Sequence, residues 1–188
     1  MDIKKLADVK DRFADYEKIF NSGDYDKAAD ILSAILERIE ECTDERKAGT
    51  MDDTFVKKSD MDGRPIYISL NHVMEYYVYA CYFEPETDVL CTELPGGEDY
   101  RTYGSLCLKL SKFRRAEDAF KKAICWNPVD LDSYLGLAEC YKNLNMLSRY
   151  LDVTKQAYRF CCSRATMARY YRNMGFYYVA RYNTEAAR

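Results

Sequence analysis

The chain has 188 residues, 48% apolar and 31% charged, with a formal net charge of −3, a balance that supports a packed core and excludes a membrane protein. Its N-terminal stretch, MDIKKLADVKDRFADYEK, is charged throughout, which excludes a secretory signal peptide and predicts a cytoplasmic protein. The most apolar segment, Ile66 to Phe83, contains Asn71, His72 and Glu75 and falls short of the roughly 20 apolar residues a bilayer crossing needs, so no transmembrane helix is expected.

In chain order, the first expected elements are a helix from Ile3 to Phe20, a turn at Gly23-Asp24-Tyr25, and a second helix carrying Ala28, Leu32 and Ile35. They are read by their likeness to a better-defined unit further along. Cys42 to Arg64 is expected as a loop, because Asp52-Asp53 and Asp62-Gly63-Arg64-Pro65 are turn chemistry. Ile66 to Phe83 is predicted as one helix, the first half of a degenerate unit that the loop lengthens. Gly96-Gly97 follows Pro95, lacks the spacing of a phosphate loop, and is read as a linker.

From Glu98 to Asp130 the pattern sharpens. Tyr100, Tyr103, Gly104, Cys107 and Leu108 fall at helical spacing, Ser111-Lys112 break it, and Phe113, Ala116, Phe120, Ala123 and Ile124 resume it. Pro128 ends the second helix, since it has no amide hydrogen and turns Asn127 away from helical angles. Two such helices form an antiparallel hairpin. The pattern then repeats 34 residues on: Tyr100 recurs as Tyr134, Gly104 as Ala138, Leu106 as Cys140 and Ala123 as Ala157. A period of that length is the signature of stacked helical hairpins. A third unit, slipped by three residues, matches with Tyr171, Met174, Gly175 and Tyr178 in its first helix, then Asn183 at the turn and Ala187 beyond it.

The string YGSLCLKLSKFRRAEDAFKKAICWNP resembles a tetratricopeptide repeat, with its small residue at Gly104, alanines at Ala116 and Ala123, aromatic at Phe120 and proline at Pro128. The next unit departs where Tyr150, Thr154 and Cys162 replace the alanine, aromatic and proline. The resemblance implies an all-α fold, an α-solenoid of antiparallel helix hairpins with about three to four repeats. These would be 1–42, a degenerate repeat with a long loop at 43–97, then 98–130, 131–164 and an incomplete repeat at 165–188. An unfinished last repeat leaves Met174, Tyr178 and Val179 without a partner on one side, so either a homo-oligomeric contact or a poorly ordered end is expected there.

The resemblance also implies a function, since first helices of successive repeats in this family line a concave surface that takes a peptide or protein segment. Carried over, that surface selects Arg101, Ser105, Leu135, Glu139, Lys142, Arg169, Arg172, Asn173 and Phe176, with His72, Glu75 and Tyr79 from the degenerate repeat. Arg101 with Arg169 or Arg172 could fork onto an acidic side chain. The lysine and asparagine set of the chaperone-binding members is incomplete, with Glu139 opposing the Arg172-Asn173 pair, so a chaperone cofactor is not expected.

No catalytic residues emerge, because His72, the only histidine, lies without a serine or cysteine motif beside it. No enzyme activity is therefore expected. Eight cysteines contain no C-x-x-C pair, so they are read as reduced thiols and neither a metal nor another cofactor is expected. Cys107, Cys125 and Cys140 fall on apolar stripes and are expected in the core.

Eighteen tyrosines are expected to pack between repeats, or to form a recognition groove. From Arg159 onward there are six arginines, one glutamate and no lysine, a local balance of +5 against −8 for the rest. The main expectation is a protein-interaction scaffold. The alternative is a regulatory or RNA-binding helical-repeat protein using this Arg/Tyr-rich end, although an acidic chain makes nucleic acid the less favoured partner.

Overall fold

The computed structural model describes residues 3–42, 49–51, 56–58, 66–85, 88–91 and 96–186. In chain order these form α1 (Ile3–Ser22), α2 (Tyr25–Cys42), β1 (Gly49–Met51), β2 (Val56–Lys58), β3 (Ile66–Ile68), α3 (Val73–Phe83) and β4 (Val89–Cys91). There follow α4 (Gly97–Lys109), α5 (Phe113–Trp126), α6 (Leu131–Asn143), α7 (Leu147–Ala157), a short 3-10 turn at Tyr158–Phe160, and α8 (Arg164–Ala186). The described chain is thus predominantly helical, and none of its helices is long and apolar enough to cross a membrane.

Helices α1 and α2, α4 and α5, and α6 and α7 each pack as a hairpin, and neighbouring hairpins meet through α2 with α4 and α5 with α6. The three turns share a left-handed corner residue, and the second and third share their hydrogen bonding too. Gly23, Ser111 and Asn145 take left-handed backbones, with φ of 86°, 57° and 55°. In the α4–α5 turn the Lys112 amide donates to the Cys107 carbonyl at 2.9 Å and the Ser111 amide to Leu108 at 3.0 Å. Thirty-four residues later, Met146 donates to Tyr141 at 2.9 Å and Asn145 to Lys142 at 3.2 Å. This paired closure satisfies the last carbonyls of the first helix and requires a left-handed residue at its corner.

Phe120 of α5 explains why the central hairpins approach so closely. Its buried ring sits against Gly104 of α4 and Gly136 of α6, where an added Cβ would lie 3.0 Å and 2.4 Å from ring carbons respectively. Glycine supplies a bare backbone on both sides, which lets large and small residues interlock. Cys107 and Cys140 are fully buried in the same layer, and burial pushes both thiols up, Cys140 to about 12. Cys81, Cys91, Cys107, Cys125, Cys140, Cys161 and Cys162 are free.

Four expectations need correction. Ile66 to Phe83 is not one helix: Ile66–Ile68 pairs in parallel with Val89–Cys91, and α3 starts at Val73. Two β-branched residues favour the strand, and the following Ser69 amide donates to the Trp126 carbonyl at 3.0 Å instead of to a helix. Gly96 and Gly97 are not a free linker, since both are buried and an added Cβ on Gly96 would lie 3.0 Å from the Trp126 ring. The loop expected at Cys42 to Arg64 carries an antiparallel pair, β1 with β2. Helix α8 runs through Asn183, where a turn was expected, because neither glycine nor proline follows to stop it. Asp52-Asp53, Asp62-Gly63-Arg64-Pro65, Pro95 and Ala187 lie outside the described residues.

Candidate functional site

Helices α4, α6 and α8 each turn one side toward a shared cavity of about 680 Å³. The spacing on each helix is that of a single face: Arg101, Ser105 and Leu108 on α4, Asp132, Leu135, Gly136, Glu139 and Lys142 on α6, and Arg169, Arg172, Asn173 and Phe176 on α8. All eight residues singled out as ligand-binding, Arg101, Ser105, Glu139, Lys142, Arg169, Arg172, Asn173 and Phe176, therefore line one space. Phe120 and Tyr150, from α5 and α7, complete it.

Asp132 dominates the electrostatics at one end. Arg169 Nη1 donates to its Oδ1 at 2.7 Å, and Arg101 Nη1 lies 3.8 Å from its Oδ2. Arg101 also donates to Asp130 Oδ1 at 3.2 Å and to Glu98 Oε1 at 3.4 Å. Of the arginines expected to fork onto an acidic side chain, Arg101 with Arg169 or Arg172, the first two are already held by carboxylates of the chain itself. Asp130 is buried, and burial pushes its pKa up, countered by the Ser133 hydroxyl donating at 2.6 Å and by Arg101.

The other end is less satisfied. Lys142 pairs with Glu139, and its Nζ also sits 5.4 Å from the centre of the Phe176 ring. Tyr150 donates its hydroxyl to the Asn173 carbonyl at 2.9 Å, and its ring meets Phe176 edge-on at 5.4 Å. That pair fixes the rotation of α8 on α7. Phe176 remains 41% exposed. Arg172 has no ion-pair or hydrogen-bond partner among the described residues.

The three residues carried over from the degenerate repeat fall elsewhere. Tyr79 is completely buried, so it faces no ligand. Glu75 is buried and serves the fold, accepting from the Asn71 amide at 2.7 Å and from Asn127 Nδ2 at 2.8 Å. His72 is exposed, with Nδ1 3.4 Å from Glu75. Glu75 and His72 border a second cavity of about 510 Å³ that shares Arg101, Asp132 and Arg169 with the first.

Asp132 and Tyr150 are the residues sequence reasoning missed. Asp132 could have been found, since it lies seven positions before Glu139 on the same helical face. Tyr150 stands where the repeat pattern has an alanine, and a departure of that kind is itself a signal. Among the described residues no cluster of three or more histidine, cysteine, aspartate or glutamate side chains could hold a metal ion. No protein-family model matches the chain, and no curated protein matches it.

Proposed function

We propose that the chain is a tetratricopeptide-type α-solenoid acting as a non-catalytic cytoplasmic scaffold, which takes a peptide or protein segment in the cavity between α4, α6 and α8. The observation that carries this reading is the convergence of three helix faces on one open space containing an arginine, Arg172, without a partner among the described residues, beside a half-exposed aromatic, Phe176. Such a pairing of charge and ring suits an extended ligand with both polar and apolar side chains. The recurrence of the same hairpin closure after 34 residues supports the repeat family.

Preorganisation is the physical advantage of this arrangement. Asp130 holds Arg101, Asp132 holds Arg169, and Tyr150 holds the Phe176 ring edge-on, so fewer side chains remain to be ordered on binding. An array of immobilised peptides, probed with the intact chain and then with Arg172→Ala and Phe176→Ala, tests the reading. Each substitution is expected to weaken the captured peptides by about tenfold or more with unchanged circular dichroism. Peptides that bind both variants as tightly as the parent would show that the cavity is not the binding surface.

A further inference from the structure

Helix α8 has an outer side that the cavity does not use. Ala168, Tyr171, Gly175, Tyr178 and Tyr182 follow one another at alternating steps of three and four residues, the seam spacing of a two-helix contact. Tyr171, Tyr178 and Tyr182 are 61%, 51% and 70% exposed, and the adjoining Val179 is exposed as well. A continuous apolar row of this kind marks a protein contact. Large and small residues alternate along it. An added Cβ on Gly175 would meet nothing within 4 Å, so the position between Tyr171 and Tyr178 is a gap into which a partner side chain fits.

Charge decides what the partner is. Arg172 borders the row on one side and Arg181 on the other, Arg164 stands at its N-terminal end, and no acidic residue occurs from 164 to 182. Positions beside a helical seam select partners by complementary charge. A second copy of α8 would set arginines against arginines. Helix α1 of a second copy is no better matched, since its exposed described side chains from residue 12 onward form no apolar row.

We propose that the outer face of α8 docks an amphipathic helix of another protein, one with acidic residues flanking an aliphatic seam and a bulky aliphatic side chain opposite Gly175. Apart from Arg172, which borders both, this surface is separate from the cavity, and the proposal stands whether or not the cavity binds a peptide.

Fluorescence anisotropy of the full chain tests it with a labelled peptide of three leucine-seamed heptads flanked by glutamate, whose own charges oppose self-pairing, and a twin flanked by lysine. The glutamate peptide is expected to bind and the lysine twin to bind at least about tenfold more weakly. Tyr171→Asp with Tyr178→Asp is expected to weaken the glutamate peptide at least about tenfold. Gly175→Leu is expected to weaken it similarly by filling the gap, while the thermal midpoint stays level or rises. That split is one a merely structural glycine would not give.

Four results would overturn the proposal: no binding of either peptide, equal binding of both, undiminished binding by Gly175→Leu, or a dimer in sedimentation that Tyr178→Asp separates. Tight binding of oligouridine that the tyrosine substitutions abolish would likewise assign the face to nucleic acid.

Discussion

Phe120 is the residue on which the central packing turns, and the two glycines against it are not equivalent. A methyl group at Gly136 would lie 2.4 Å from the ring, while at Gly104 it would lie 3.0 Å away. Gly136→Ala is therefore expected to cost about 1–3 kcal/mol in urea unfolding, and Gly104→Ala less, because overpacking forces the ring or the helix to move. Shortening Phe120 to leucine in the Gly136→Ala background should recover part of the loss, a coupling that a double-mutant cycle reads directly.

Asp99 makes a second residue-scale case. Burial first, then the neighbouring Glu98 charge, pushes its pKa up to about 6, although the Gly96 amide donates to it. The folded chain thus holds this proton more tightly than the unfolded chain, whose aspartate titrates near about 3.9. From this group stability is greatest below about pH 4, falls as pH rises through about 6, and is level above that. Asp99→Asn keeps an acceptor for the Gly96 amide and removes the charge. It should stabilise the protein by about 2 kcal/mol at pH 7.5, with the gain vanishing toward pH 4 in paired unfolding curves.

At the scale of elements, the hairpin corners and α8 invite different substitutions. Ser111 and Asn145 hold left-handed conformations that a Cβ disfavours by about 1 kcal/mol, less for asparagine, whose side chain tolerates them. Ser111→Gly should raise the thermal midpoint by about 2–4 °C, with Asn145→Gly giving a smaller rise. A calorimetric scan that ranked them the other way would deny this account of the corners. Gly175 lies inside a long helix with open space around it, so Gly175→Ala should stabilise by about 0.5–1 kcal/mol, opposite in sign to Gly136→Ala.

The same elements show how far sequence reaches. Helices α4 to α7 were legible because three-and-four spacing, a polar break and a proline are local signals. Strand β3 was not. Ile66-Tyr67-Ile68 is apolar enough for either state, and what decides is pairing with Val89–Cys91 some twenty residues away.

Over the whole molecule the described helices are unequally supported. Helices α4 to α6 have neighbours on both sides, and α5 is further tied by Lys122 to Glu40 at 2.8 Å and by buried Glu117, 3.7 Å from Arg149 of α7. Helix α8 packs chiefly on α7 and leaves its outer row in water. Hydrogen exchange should therefore be slowest in α5 and α6 and fastest, among the described helices, in α8, since local opening follows the surface each element buries. Protection of α8 equal to that of α5 in the free chain would mean its outer face is already covered. Added glutamate-flanked peptide should slow α8 selectively.

By itself the sequence determined the hairpins, their 34-residue phase, and the helix faces that carry the eight candidate residues, because helical periodicity and turn chemistry act over a few neighbouring positions. Only the tertiary structure decided that Asp130 and Asp132 occupy Arg101 and Arg169 and that Arg172 is left without a partner among the described residues. It alone placed Gly96 against Trp126, Gly136 against Phe120, and the tyrosine row of α8 facing outward. Each of these depends on which parts of different elements come together and which are left uncovered, and that is fixed by packing and not by spacing along the chain.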